Sequence, residues 1–126
     1  MKQRKIDYTI DSHFANDYQS TRKLFDQFVS KLKKIDNRIE IIPMKQYIGI
    51  KIGARVVVAI LVWQSKLKLH LYRVEPKDLN DPRGTVKYKT NSFEDFNKHI
   101  SYFDIFNDQD LDYGLKLTTQ VIDKFF

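Results

Sequence analysis

Cysteine is absent from this 126-residue chain. Its absence excludes a disulfide framework, a thiol nucleophile and any metal site built on cysteine ligands. Long hydrophobic runs are also missing, because the longest apolar segment, Val56 to Trp63, is far shorter than the ~20 residues that a membrane-spanning helix needs. The residues that follow Met1 lack the apolar core of a signal peptide. We therefore expect a cytoplasmic protein with no membrane partner.

Glycine and proline are scarce, with four Gly and three Pro in the chain. The glycines are isolated from one another, so the sequence contains no glycine-rich loop of the kind that cradles phosphate. Hydrophobic residues make up 42% and charged residues 30%, which is typical of a globular chain rather than a disordered one. We expect one domain over residues 17–126, preceded by an N-terminal extension over residues 1–16.

Positive charge exceeds negative charge, with 22 Lys and Arg against 16 Asp and Glu and a formal net charge of +6. A basic protein favours polyanionic partners such as nucleic acid, because each lysine or arginine that contacts a phosphate releases condensed counterions. A modest positive charge also keeps a small domain in solution without any such partner. Composition alone leaves both interpretations open.

Hydrophobic residues recur at helical spacing from Asp17 to about Asn37 and again after Asp108, which predicts a helix at each end of the domain. Between these helices, residues 45–52, 55–63 and 66–74 read as strands joined by short turns, which predicts an antiparallel meander. A short strand over residues 38–42, stopped by Pro43, precedes them. An edge strand over 85–89, a short helix from Asn91 or Ser92 to His99, and a last strand over 102–106 follow. The predicted fold is α+β, an antiparallel meander sheet of about five strands with the N-terminal and C-terminal helices packed on one face.

Several short segments carry a resemblance to a known family. Residues 66–71 read Lys-Leu-Lys-Leu-His-Leu, residues 75–76 read Glu-Pro, and residues 81–84 read Asp-Pro-Arg-Gly. Residues 43–48 (Pro-Met-Lys-Gln-Tyr-Ile) and 110–113 (Asp-Leu-Asp-Tyr) complete the pattern. Over roughly residues 21–126 the chain resembles an uncharacterised bacterial family, domain of unknown function 5655. Members of that family stand alone or follow restriction-endonuclease-like domains, so the resemblance implies a restriction or defence context and supplies no catalytic residues.

Residue patterns typical of catalysis are lacking. A metal-dependent nuclease needs an acidic residue on one strand and Glu or Asp two residues before Lys on the next, but Gln64 stands where that carboxylate would be. His13, His70 and His99 fall in three different predicted elements without the spacing of a metal site. We therefore expect no catalytic residue, no metal and no cofactor, and a binding module rather than an enzyme.

The polar face of the predicted meander is the candidate binding surface. Cationic and aromatic residues alternate there with inward-facing hydrophobic ones: Lys45, Tyr47, Lys51, Lys66, Lys68, His70 and Tyr72. We expect His70 to project outward from its strand, Gly49 to leave room for a flat ligand group, and Arg83, in the turn after the meander, to add a planar hydrogen-bonding fork. Tyrosine can stack on a base while lysine neutralises phosphate, so the surface suits DNA or RNA. The alternative is an ordinary solvated sheet face.

Aromatic residues near the C-terminus support a different function. Tyr102, Phe103, Phe106, Phe125 and Phe126 exceed what a short core requires and could form a contact surface for another protein or for a second copy of this chain. The alternative prediction is therefore a protein-interaction or homodimerisation module that does not contact nucleic acid.

Overall fold

The computed structural model of the chain describes residues 8–15, 17–92 and 98–126. The described helices are α1 (Gln19–Ile35) and α2 (Asp108–Phe125). The strands are β1 (Glu40–Pro43), β2 (Ile48–Ile52), β3 (Arg55–Val62), β4 (Leu67–Tyr72), β5 (Lys87–Ser92) and β6 (Lys98–Ile105). Short 3-10 helices span Asp11–His13 and Pro76–Asp78.

The strands form one six-stranded sheet in the order β1-β2-β3-β4-β6-β5, and every neighbouring pair is antiparallel. The first four strands follow chain order, which confirms the predicted meander and the α+β class, although the sheet has six strands rather than about five. The β2–β3 hairpin turns at Gly53, whose φ of 63° is a backbone conformation that residues with side chains rarely adopt.

Both helices pack on one face of the sheet, and the core lies between them and β4. Leu67, Leu69 and Leu71 alternate along β4 and are fully buried, as is Phe28 on α1. α2 lies close to the sheet at Gly114, where an added Cβ would come within 3.0 Å of Ile105 Cδ1 and 3.4 Å of Leu69 Cδ2. Burial of these apolar side chains supplies most of the free energy that holds the layers together.

The predicted short helix from Asn91 or Ser92 to His99 is wrong at both ends. Asn91 and Ser92 lie in β5, Lys98 and His99 lie in β6, and residues 93–97 fall outside the described part of the chain. Backbone pairing overrides the local capping signal, because β6 aligns with β4 along its length and faces Phe103 and Ile105 toward the core. The last strand consequently begins earlier than the predicted residue 102.

Pro43 also differs from its prediction, because it is the last residue of β1 instead of the residue that stops the strand. β1 is an edge strand, where proline is tolerated because one side of the backbone has no partner strand.

Part of the predicted N-terminal extension packs against the domain. The rings of Phe14 and Phe25 lie 5.5 Å apart, and His13 Nε2 lies 2.6 Å from the carbonyl oxygen of Met44. Residues 1–7 and 16 are outside the described ranges, so the division at residue 17 stays a prediction. Neither described helix combines the length and hydrophobicity needed to cross a membrane.

Candidate functional site

The candidate site lies on the sheet face opposite the helices, here called the helix-free face. On β4 the alternation that buries the leucines against the helices places Lys68, His70 and Tyr72 on this other face. In the register with β6, Lys68 lies opposite Asp104 and His70 lies opposite Tyr102. Neither of the helices within residues 8–15, 17–92 and 98–126 covers this face.

Lysine ammonium groups rest on aromatic rings at one end of this face. Lys66 Nζ lies 4.6 Å from the Trp63 ring centroid, and Lys68 Nζ lies 5.2 Å from the Trp63 centroid and 4.5 Å from that of Tyr102. These are cation–π distances, at which the ring quadrupole attracts the charge. The name lysine–aromatic cluster is used below for Trp63, Lys66, Lys68, Tyr102, Asp104 and Phe106.

The two lysines of the cluster differ in how their charges are compensated. Lys66 Nζ forms an ion pair with Asp104 Oδ2 at 3.1 Å, and both side chains are largely buried. Lys68 forms no ion pair with any residue in the described part of the chain, and its ammonium group lies over the rings of Trp63 and Tyr102. Trp63 is 47% exposed and Phe106 54% exposed. The cluster therefore offers solvent a cation without a counterion beside accessible rings.

His70 departs from its predicted outward, exposed position, since it is only 7% exposed. Burial, together with the nearby charges of Lys89 and Lys68, lowers the pKa of His70 to about 4, against an opposing effect of Asp104. The imidazole is therefore neutral at neutral pH. Its Nε2 has no hydrogen-bond partner among the described residues.

Asp104 carries a second unsatisfied atom. Its Oδ2 holds Lys66, whereas its Oδ1 is buried and has no hydrogen-bond partner in the described part of the chain. Buried polar atoms are nearly always paired in folded proteins, so each exception calls for an explanation. Here the exceptions, His70 Nε2 and Asp104 Oδ1, occur on adjacent strands of the helix-free face.

The site continues from the cluster to the β5 edge of the sheet. Lys87 lies opposite Tyr102 in the register, and Lys89 is close enough to influence the pKa of His70. Both lysines are exposed. A groove of about 230 Å³ runs along this edge, and its lining includes Arg83, Lys87, Tyr102, Asp104, Phe106 and Asp110.

Only part of the predicted surface comes together. Lys66, Lys68 and His70 are neighbours, and Tyr72 shares their face one step further along β4, opposite Ile100. Lys45 lies in the β1–β2 turn, and Lys51 pairs with Val56 toward the opposite end of the sheet from Lys66. β2 is separated from β4 by β3, so about 10 Å lies between these strands. Lys45 and Lys51 therefore lie outside the lysine–aromatic cluster.

The predicted room above Gly49 is filled by the protein itself. Gly49 is buried, and Tyr47 Cε1 lies only 3.4 Å from the position of an added Cβ at Gly49. Tyr47 thus packs over the backbone instead of leaving a slot for a ligand. The prediction of a ligand space at Gly49 is wrong because a neighbouring ring replaces the missing side chain.

Arg83 is engaged within the fold. Its Nη1 donates to Asp110 Oδ1 at 2.8 Å, and its guanidinium lies 4.4 Å from the Tyr113 ring centroid. The Tyr113 hydroxyl accepts from the Arg83 backbone N–H and donates to Asp81 Oδ1. These contacts tie the turn over residues 81–84 to α2, so Arg83 borders the groove without offering the free hydrogen-bonding fork that we predicted.

Sequence reasoning missed Trp63, Lys87, Lys89, Tyr102 and Asp104 as members of the site. Trp63 ends an apolar run and belongs to the predicted strand over residues 55–63, although its position next to the Gln64-Ser65 turn is a signal of exposure. The other residues belong to β5 and β6, whose alignment with β4 depends on long-range pairing.

The C-terminal aromatic residues do not form one surface. Phe103 is buried against Tyr113 with ring centroids 5.2 Å apart, and Phe106 precedes α2. Phe125 and Phe126 lie at the far end of that helix, about 27 Å away by its length of 18 residues.

A separate groove of about 540 Å³ borders α2, and its lining includes Ile35, Pro82, Tyr113 and Leu117.

No group of three or more His, Asp or Glu side chains within the described ranges could hold a metal ion.

No family model matches the chain, no curated protein matches it, and no solved structure matches it. The family resemblance noted in the sequence therefore stays a prediction.

Proposed function

We propose that this chain is a non-catalytic binding module that contacts nucleic acid through the lysine–aromatic cluster and the adjacent β5 edge. The observation that carries the proposal is the uncompensated ammonium group of Lys68, held between the rings of Trp63 and Tyr102. A phosphate can take up that charge while a base stacks on the exposed Trp63 ring.

Single-stranded nucleic acid suits the site better than a duplex. Base faces are accessible to aromatic rings only where the bases are unpaired, whereas a duplex offers phosphates and groove edges. The exposed rings of the lysine–aromatic cluster are Trp63 and Phe106. Neither described helix lies on this face, where it could enter the major groove of a duplex. The proposed ligand is therefore a DNA or RNA single strand.

Charge along the site supports the same ligand. Lys66, Lys68, Lys87 and Lys89 lie along this part of the face, where Asp104 is paired with Lys66 and Asp110, in the adjoining groove, is paired with Arg83. These lysines span β4, β6 and β5, a width of about 10 Å across the strands. Cations and rings bind a ligand without activating a nucleophile, which favours binding over catalysis. The restriction or defence setting of the proposal comes from the sequence resemblance alone.

Fluorescence anisotropy with labelled single strands and duplexes of about ten nucleotides tests the proposal across a salt series. We expect the single strand to bind more tightly than the duplex and binding to weaken as salt rises. Lys68→Gln should weaken binding several-fold and reduce the slope of log affinity against log salt by about one. Lys23→Gln is the matched control, because it makes the same charge change on the exposed surface of α1.

The aromatic contribution is measured with Trp63→Ala. Stacking of one base contributes about 1–3 kcal/mol, so this variant should bind about fivefold more weakly or worse. Phe125→Ala removes another exposed ring, at the far end of α2, and should leave affinity unchanged. Absence of salt-sensitive binding, or equal losses in the site variants and their controls, would overturn the proposal.

A second candidate is a protein-interaction or homodimerisation module without nucleic-acid contact. The groove of about 540 Å³ beside α2 favours it, because the groove is bordered by Ile35, which is 52% exposed. Light scattering decides the homodimer case. A dimer that Ile35→Glu converts to a monomer, in a protein that binds no oligonucleotide, would favour this second candidate.

A further inference from the structure

The unsatisfied polar atoms of the helix-free face lie beside the lysine–aromatic cluster. Asp104 Oδ1 and His70 Nε2 are both buried without a hydrogen-bond partner among the described residues. A buried polar atom without a partner is destabilising, and more so when it belongs to a charged group. These two unsatisfied atoms thus lie next to the exposed rings and the lysines of the lysine–aromatic cluster.

The strand register places these two unsatisfied atoms beside the rings that would hold a base. Tyr102 and Asp104 are two residues apart on β6, so their side chains leave the sheet on the same face. Trp63 and Tyr102 are connected through the ammonium group of Lys68, which lies about 5 Å from each ring. A base stacked against either ring would lie on the same face of the sheet as Asp104.

Two long, flexible side chains lie beside Asp104 in the free protein. Lys68 lies directly opposite Asp104 in the register, and Lys66 occupies its other carboxylate oxygen. A lysine stem has four rotatable bonds and can follow a phosphate without any backbone movement. When the Lys66 ammonium group turns to a phosphate of a bound strand, the carboxylate of Asp104 becomes available to the base.

Resting on the proposed single-strand function, we infer that the site reads base identity and prefers cytosine to uracil or thymine, with Asp104 accepting a hydrogen bond from the cytosine amino group. Carboxylates pair with the N4 amino group of cytosine, which is a donor. Uracil and thymine carry a carbonyl oxygen at that position, and this oxygen would face the carboxylate with both atoms acting as acceptors.

Neutral His70 complements this arrangement. A neutral imidazole carries a proton on only one of its two nitrogens. According to the tautomer, Nε2 therefore donates or accepts a hydrogen bond, and it can pair with a ring nitrogen or a carbonyl oxygen of the base. The charged groups that surround it are Lys68, Lys89 and Asp104. Asp104 is a positioning and reading residue in this inference, since the affinity itself comes from the rings and the lysines.

The test compares two single strands that are identical except that every pyrimidine is cytosine in one and uracil in the other. Anisotropy titrations at one salt concentration give the affinity ratio. We expect wild-type protein to prefer the cytosine strand by about tenfold, the size of one good base-edge contact. This pair of ligands matches in charge, backbone and ring size, so the ratio reports on the base edge, where the N4 amino group and unprotonated N3 of cytosine replace O4 and N3–H of uracil.

Asp104→Asn separates base reading from charge. Removal of the carboxylate frees Lys66, so affinity for both strands should rise, whereas the preference for cytosine should shrink to about twofold or less. Lys66→Gln is the control, because it weakens binding to both strands and leaves Asp104 in place, so the ratio should persist. Circular dichroism on each variant verifies that the fold is retained.

Each outcome has one meaning. If the wild-type protein binds neither strand, the proposed function fails and this inference fails with it. If it binds both strands equally, the single-strand function stands and base reading is overturned. If the cytosine preference survives in Asp104→Asn, the assignment of Asp104 as the reading residue is overturned.

Discussion

The two faces of the sheet differ in how their buried polar groups are hydrogen-bonded. On the face under the helices, the buried hydroxyls of Thr118 and Ser101 donate to the carbonyl oxygens of Gly114 and Val74, at 2.9 Å and 2.7 Å. On the helix-free face, His70 Nε2 and Asp104 Oδ1 are buried without partners among the described residues. These hydroxyls on the covered face have hydrogen-bond partners within the protein, whereas two buried polar atoms on the helix-free face do not.

The same contrast separates the two kinds of cationic residue. Among the described residues, several arginines form ion pairs: Arg22 with Asp11 and Asp26, Arg38 with Asp36, and Arg83 with Asp110. On the helix-free face Lys66 pairs with Asp104, whereas Lys68 lies over two rings and Lys87 and Lys89 extend into solvent. Guanidinium groups suit fixed, bidentate contacts, whereas flexible ammonium groups suit a mobile polyanion. The helix-free face therefore differs from the helices in placing its lysines beside aromatic rings, although α1 also carries exposed lysines such as Lys23 and Lys33.

The largest expected effect tests the covered face. Phe28 is fully buried between α1 and the sheet, so Phe28→Ala should lower the free energy of unfolding by about 3–5 kcal/mol, measured by urea denaturation. Phe106→Ala removes the same ring from an exposed position and should change stability by less than about 0.5 kcal/mol. Similar losses in both variants would contradict the division into a packed face and a binding face.

The next effect concerns the buried histidine of the helix-free face. His70 has a folded-state pKa of about 4, below its ordinary value of 6.5, so protonation favours the unfolded chain. Its contribution to stability is complete above about pH 6.5 and is lost as the pH falls toward 4, by at most about 3 kcal/mol. His70→Gln cannot titrate, so its stability should vary less between pH ~7.5 and ~4.5. Equal pH dependence in both proteins, measured by urea denaturation, would contradict the burial of His70.

A smaller effect is expected where α2 approaches the sheet. Gly114→Ala gains about 1 kcal/mol in helix propensity, but its Cβ would lie 3.0 Å from Ile105 Cδ1 in a fully packed region. We expect a net loss of about 1 kcal/mol in the free energy of unfolding. In an Ile105→Val background, which removes that methyl group, the same change should cost less. A stabilised Gly114→Ala protein would show that the helix can move away from the sheet.

The smallest expected effect distinguishes Arg83 from Lys68. Arg83 is ion-paired with Asp110 but its side chain is 38% exposed, so Arg83→Ala should lower stability by less than about 1 kcal/mol. Binding of a single strand should fall less than in Lys68→Gln, which loses an uncompensated cation. A larger binding loss at Arg83 would move the site from the cluster into the groove at the β5 edge.

Local patterns predicted the elements that carry strong periodicity. The alternation of leucines with polar residues over 66–72 fixed both the strand and the face to which Lys68 belongs, because side chains on a strand alternate strictly. The weak signal at Ser92 led to the wrong element, since capping chemistry at one residue contributes less than the pairing of two strands. Burial of His70 was also missed, because its alternation places it on the polar face.

The sequence by itself determined the α+β class, the meander and the position of Lys66 and Lys68 at β4, all of which follow from contacts between residues close along the chain. Tertiary structure alone decided which aromatic rings meet those lysines. β6 pairs with β4 across a long connection and brings Tyr102 and Asp104 beside residues more than 30 positions earlier. No local period encodes that register. It is chosen by the burial of Phe103 and Ile105 on the opposite face, and the composition of the candidate site follows from it.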